Sequence, residues 1–358
     1  MHFGVDLPDE RLIPLLRPGN GVDTLITADA YGAGAADRLA GDAIAGLVRE
    51  SFCLVGAVGH DFYEGEREGA KGFPRFTDPR LRGPADYADY LRMATERSLE
   101  RIGASAFDLL LLHNPDRRGF TDPAVWEGMA TLREAGLTRM LGVAPGPANG
   151  FTLDVIECLE RYGELIDWAM IILNPFEPWP GELVLPAAAK HDVKLITRVV
   201  DYGGIFHDDV RPGHQFAERD HRCFRPDGWV EQGSAKLDQA RPIAQAHGLT
   251  PLQLAAWWNL AHEQVQCVAP TLIEEPSSGK SAEQKRAELA AVSGANPLTA
   301  ADIEQLRAIG DNTNCMRLKG ASPEAEQPAP DSWPLDSGLR ELAERWGIDP
   351  DRQLSSTH

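Results

Sequence analysis

Apolar positions along this chain gather into eight short runs, and most of the intervals between them carry helical patterning. The clearest run is Phe107–Leu112, which lacks polar alternation and so suits a strand covered on both faces. Its preceding helix presents Met93, Leu99 and Ile102 on one side, and Gly103 turns the chain. His113 stands at the strand's exit, before Asn114-Pro115 stops it. The same reading predicts strands at His2–Leu7, Val22–Ala28, Phe52–Val58, Arg139–Val143, Asp167–Leu173, Val193–Val199 and Val265–Ala269. Helices fall between them, including Arg38–Glu50, Phe151–Tyr162, Leu183–His191, Lys236–His247 and Pro251–Ala261. Another follows Asp122-Pro123, a cap and first-turn pair, and stops at Gly136. No sequence unit repeats and no GxGxxG motif is present. This alternation predicts an α/β fold, an eight-stranded TIM-type β/α barrel, with chemistry at the carboxyl ends of the strands.

Three connections are long or irregular: His60–Pro84, Asn174–Gly181 and Asp201–Gln232. They are rich in aromatic, charged, glycine or proline residues, as expected of functional or packing loops. Near the C-terminus, Ala321–Pro334 reads as a linker, and Leu339–Trp346 as a helix docked through Leu339, Leu342 and Trp346. The expected organisation is a barrel over 1–318, a linker over 319–335 and a helical extension over 336–358.

With 54 acidic against 35 basic residues, the formal charge of -19 repels nucleic acid. A small anionic ligand remains compatible, because one local arginine can dominate its pocket. There is no apolar span long enough for a membrane helix and no secretory-signal pattern. Cys53, Cys158, Cys223, Cys267 and Cys315 are scattered and odd in number, as suits free thiols in a reducing cytoplasm. His207, Asp208, Asp209, His214, Asp220 and His221 match no strong metal-ligand spacing, so no metal is expected. The expected partner is a small polar organic substrate, and the expected state is a monomer or weak homo-oligomer.

Several motifs stand in a telling order: Ala30-Tyr31-Gly32, Ser98–Gly103 with Asp108–His113, Leu141-Gly142-Val143, Asn174-Pro175, and Arg198 before Gly203-Gly204. Over roughly Val22–Ile309 this series resembles the aldo-keto reductases. The resemblance implies a β/α barrel that binds NADP(H) and interconverts a carbonyl compound and its alcohol. It places Tyr31 at the proton-donating tyrosine and His113 at the histidine beside the reacting oxygen. Lys280, Ser281 and Arg286 resemble the family's spacing for the cofactor phosphate, and Arg198 joins them as a cofactor-binding candidate. Asp61, Phe176, Trp179, Asp201 and Tyr202 are candidate substrate contacts.

The chain departs from the family pattern at several chemical positions. Ile26 stands where the family has aspartate, and Ala57 where it has lysine. Asp23 precedes Ile26 by about 10 Å of strand and faces the other way. Ala144, Pro145 and Met170 replace the serine, asparagine and glutamine that hold the nicotinamide carboxamide. These departures keep a second reading open: a non-redox lyase, dehydratase or isomerase using His113 and Tyr31 on the same barrel. A nonenzymatic ligand-binding regulator is a third.

Overall fold

The computed structural model describes residues 4–67, 72–146, 151–217, 220–225, 227–276, 279–312 and 335–353. Seven strands form one parallel sheet in sequence order: β1 (Thr24–Ile26), β2 (Cys53–Val58), β3 (Phe107–His113), β4 (Thr138–Ala144), β5 (Trp168–Ile172), β6 (Lys194–Arg198) and β7 (Val265–Ala269). All seven residues of β3 are buried, as its unbroken apolar run requires. Its acid, Asp108, is accommodated by the Arg49 guanidinium at 2.7 Å and by the Leu54 N–H at 2.8 Å.

The sheet curls round a common lumen. Val55, Ala57, Leu109, Leu111, Ala144 and Ile196 share one inner cluster, against which Ile26 of β1 and Cys267 and Ala269 of β7 also pack. Cys53 of β2 and Cys267 of β7 both pack against this inner cluster, and burial there, with Cys53 a lesser cause, raises the Cys267 thiol pKa. Because strand residues alternate faces, the inner row of β3 continues from Leu109 and Leu111 to His113.

The predicted first strand is corrected: residues 4–7 form no strand, and 2–3 lie outside the described residues. Gly4 instead has positive φ, and Val5 donates a single backbone hydrogen bond to Glu274, so no ladder propagates. The described sheet therefore has seven strands where eight were expected.

Thirteen α-helices are described: α1 (Asp9–Leu16), α2 (Ala35–Ile44), α3 (Tyr87–Ile102), α4 (Arg117–Thr121), α5 (Pro123–Glu134), α6 (Thr152–Tyr162), α7 (Leu185–Lys190), α8 (Trp229–Ala246), α9 (Pro251–Leu260), α10 (Ala282–Ala290), α11 (Ala300–Gly310), α12 (Ser337–Arg345) and α13 (Pro350–Gln353). Asp122 caps α5 by accepting the Ala124 N–H, with Pro123 in the first turn as expected. α2 stops before Gly46, whose φ of 73° ends the helical path short of the predicted Glu50. α8 begins at Trp229 rather than Lys236, because Gly228 at φ 78° starts it and Trp229 packs on Tyr202 and Phe216. Leu339 and Leu342 of α12 are buried, and Trp346 just beyond it donates its indole N–H to Glu160 of α6. Burial of each leucine contributes roughly 1.5–3 kcal/mol. The predicted linker, apart from Leu335, lies outside the described residues.

Candidate active site

Three rings meet at the carboxyl ends of the strands, and a guanidinium stands at the exit of β6. His113 ends β3 and meets Tyr31 edge-on, with ring centroids 5.4 Å apart and planes at 83°. His60, just beyond β2, meets the other side of His113 at 5.1 Å. Arg198 ends β6 and reaches across β5 to the exit of β4, where its Nη2 donates to the carbonyls of Pro145 (2.9 Å) and Gly146 (2.8 Å). Its Nε is buried without a partner.

The loop carrying Tyr31 is fixed by its backbone. Asp29 donates its N–H to Ala57 of β2, and Tyr31 donates to Ala28. Gly34 then turns into α2 at φ 88°, and a Cβ there would fall 2.7 Å from the Arg101 side chain. Glycine satisfies both the turn and the close approach. Tyr31 is 46% exposed, yet it sits in a recess of protein atoms that raises its phenol pKa, with Arg198 opposing the shift. Its hydroxyl has no hydrogen-bond partner among the described residues, which fits the absence of a lysine at Ala57.

Both histidines are neutral at pH 7. Burial, His60, Arg75 and Arg198 hold His113 well below the usual imidazole range. Burial and then Arg75 push His60 down to about 4. His60 Nδ1 donates to the Phe73 carbonyl at 2.9 Å, which leaves Nε2 to accept from the Asn114 amide at 3.1 Å. Arg75 also donates to the Asn114 carbonyl. Nδ1 of His113 is buried and unpartnered. Sequence reasoning missed Arg75 and Asn114 as parts of this cluster. The position of Asn114 directly after a strand-terminal histidine was the available signal; nothing in the sequence places Arg75.

Asp29 points away from this mouth, as strand alternation from Thr27 requires. Thr27 donates to Asp37 of α2, which also accepts from Ser98 and Arg101 of α3. Asp29 is fully buried in the same layer, neither carboxyl oxygen has a side-chain partner, and burial followed by Asp37 raises its pKa well above the ordinary value, against Arg101 and the Ala30 N–H. Asp23 is exposed at the far end of β1.

The five candidate substrate contacts are engaged within the loops. Asp61 is held by Arg82 and by the N–H groups of Tyr63 and Glu64. Phe176 stacks on Phe206, and Trp179 pairs its backbone with the Asn312 side chain. Asp201 accepts from the backbones of Gly204 and Thr271, while Tyr202 lies under Arg225. The residues screened for metal ligation separate likewise: His207 contacts the Thr271 carbonyl, Asp208 pairs with Arg211 and Arg241, Asp209 with Lys285, and Asp220 with Arg222. His214 faces Glu275, and the His221 side chain lies outside the description.

At the outer rim beyond β7, Lys280, Ser281 and Arg286 cluster around the first turns of α10. Ser281 caps the helix, and Lys280 pairs with Glu288 at 2.7 Å. Arg286 uses Nε and Nη2 on the carbonyls of Leu15, Arg17 and Gly19, leaving its Nη1 unengaged. The nearby acids Glu274 and Glu283 both pair with Arg11, whose single charge offsets one of the two. An ammonium, a hydroxyl and a guanidinium at one helix start suit a phosphate group.

A sequence model of the Aldo/keto reductase family matches residues 16–311. The aldo-keto reductase AKR11C1 from Bacillus halodurans, in its holo form, shares 21% identity over 88% of this chain and 94% of its own, with a TM-score of 0.61. The glycerol dehydrogenase AKR11B4 from Gluconobacter oxydans shares 21% over 85% and 86%, with a TM-score of 0.66. An aldo/keto reductase from Klebsiella pneumoniae, solved in complex with NADP and acetate, shares 21% over 87% and 89%, with a TM-score of 0.56.

Proposed function

Since the chain belongs to the aldo/keto reductase family, we propose that it is an NADP(H)-linked oxidoreductase that interconverts a small polar carbonyl compound and its alcohol. The observation that carries this reading is the edge contact between Tyr31 and a neutral His113 at the strand mouth. Lys280, Ser281 and Arg286 would hold the cofactor phosphate, and their donor set fits it. When bound, the cofactor supplies or accepts the hydride.

The chain's own groups handle the oxygen. A carbonyl carbon that gains hydride leaves negative charge on its oxygen, which an aligned acid must quench. Tyr31 is protonated at physiological pH and gives up its phenolic proton to that oxygen. His113 orients the oxygen as a neutral imidazole, which does not compete as an acid. Arg198 stabilises the resulting phenolate from across the mouth, the part a lysine at position 57 would otherwise play. Reprotonation of Tyr31 from solvent, which reaches its exposed face, restores the site.

The test is NADPH absorbance during incubation with a panel of aldehydes and ketones. Loss of absorbance with alcohol formed in equal amount supports the proposal. Substrate conversion at constant absorbance would place the chemistry in the elimination or isomerisation class instead.

A further inference from the structure

The end of β3 is gripped by a part of the chain far from it in sequence. Gly59, at the exit of β2, packs so closely that a Cβ there would fall 2.4 Å from the His113 carbonyl oxygen. His60 follows and forms an antiparallel bridge with Arg75. Beside that bridge, Asp61 donates its N–H to Pro74, and Phe76 donates its N–H to Gly59. The returning leg of the long connection His60–Pro84 therefore closes on the same strand end that carries His113.

His60 is fixed on several sides. Its Nδ1 donates to the Phe73 carbonyl at 2.9 Å, and its Nε2 accepts from the Asn114 amide at 3.1 Å. The Tyr90 hydroxyl donates to the His60 carbonyl at 3.0 Å. Asn114 is itself held: its φ is 47°, its N–H donates to Ala144 at 2.7 Å, and Arg75 donates to its carbonyl. The buried ring so pinned stands edge-on to His113, with centroids 5.1 Å apart and planes at 71°.

His113 lacks such anchors of its own. A functional imidazole is commonly oriented by a hydrogen bond to the nitrogen turned away from the reacting group. Nδ1 of His113 is buried with no partner, so ring packing must set its rotation. Two aromatic rings touch it, Tyr31 and His60. Tyr31 is 46% exposed, whereas His60 is buried and hydrogen-bonded at both ring nitrogens. His60 is the rigid neighbour of the two.

We propose that His60 is a positioning residue for the reaction: its pinned ring holds His113, by edge contact, in the orientation that meets the substrate oxygen. This rests on Tyr31 and His113 marking the reacting centre. The ring contact does what a hydrogen bond to Nδ1 of His113 would otherwise do. Phe73, Arg75 and Asn114 act through His60, which gives the long connection a part in the chemistry.

Two substitutions separate the His60 ring from its hydrogen bonds. The amide of His60→Gln can donate to Phe73 and accept from Asn114, but it offers no ring. His60→Phe keeps a ring and loses both bonds. His60→Gln is expected to lower kcat for carbonyl reduction about 10- to 100-fold, the cost of misplacing a reacting group by about 1 Å. KM and NADPH affinity stay as in the wild type. His60→Phe is expected to keep most of kcat while unfolding at lower urea, because it leaves buried polar groups unpaired. Nitrogen-15 spectra of the histidine rings, with His113 assigned through His113→Gln, read the same ring without turnover. With no acceptor for an Nδ1 proton, wild-type His113 should show a single tautomer, protonated at Nε2. A ring freed in His60→Gln brings Nδ1 to water and shows both tautomers, whereas His60→Phe shows one. Wild-type kcat or a single tautomer in His60→Gln overturns the proposal, as does an equal loss of kcat in both variants. If one variant fails to fold, the other decides alone. Absence of NADPH oxidation with a split tautomer in His60→Gln removes the redox reading and leaves the positioning role. NADPH oxidation with kcat and tautomer unchanged in His60→Gln does the reverse.

Discussion

Replacing Asp29 by asparagine keeps the shape of a fully buried side chain and removes its ionisable proton. In the folded protein the carboxyl is fully buried and has no side-chain donor; burial and then Asp37 raise its pKa, against the opposing Arg101 charge and the adjacent Ala30 N–H. In the unfolded chain it titrates near its ordinary value of 3.8. Between 3.8 and the raised folded value, the folded state keeps a proton that the unfolded state has lost. The unfolded state is favoured as pH rises through that interval, so this group destabilises the wild type at neutral pH. Linkage sets the slope at about 1.4 kcal/mol per pH unit for a single group. Asp29→Asn lacks that slope, so its advantage over the wild type grows by this amount per unit until the folded pKa is passed. Urea unfolding of both proteins across pH 4.5 to about 8 measures the difference directly. A difference independent of pH, or a variant less stable than the wild type at pH 7, refutes the assignment of a protonated Asp29.

Tyr31→Phe should lower kcat by about 10²–10⁴-fold, the usual range for loss of a general acid, with the unfolding midpoint unchanged because the hydroxyl has no protein partner. The rate of carbonyl reduction should show no step near pH 6.5, since burial holds His113 well below the usual imidazole range and pushes His60 down to about 4; an inflection between pH 6 and 7 that vanishes in His113→Gln would contradict this. Arg222→Met strands Glu275 and Asp220 as buried charges and should cost about 3–5 kcal/mol in chemical denaturation, whereas a loss under about 1 kcal/mol would show the network to be solvated.

The parts of this molecule written in local pattern were legible in the sequence. The run Phe107–Leu112 has no polar alternation because β3 is covered on both faces, and His113 follows with the phase that aims it into the lumen. Asp122-Pro123 and Gly136 marked α5 because cap chemistry is local. The proximity of Tyr31 and His113 came from the order of motifs, and their rings do meet. Long-range choices were not legible. Residues 4–7 look like a strand in composition, but their backbone turns at Gly4 and pairs once with Glu274. Asp29 is two residues from Tyr31, and only the pleat decides that it faces α3 and not the mouth. Phe176, Trp179 and Tyr202 have the composition of ligand-facing loop aromatics, but stacking on Phe206, backbone hydrogen bonds to Asn312 and the overlying Arg225 decide their respective surroundings. Gly228 gave no sign that α8 begins there, since glycine more often marks the end of a helix than its start.

A crystal structure of the ternary complex with NADP⁺ and an alcohol turned over by the protein tests the role of Tyr31 and His113 most directly. The substrate hydroxyl is expected within about 2.6–3.2 Å of both the Tyr31 phenol and a ring nitrogen of His113. A substrate oxygen held elsewhere on the rim, with Tyr31 and His113 contacting only solvent, would contradict it.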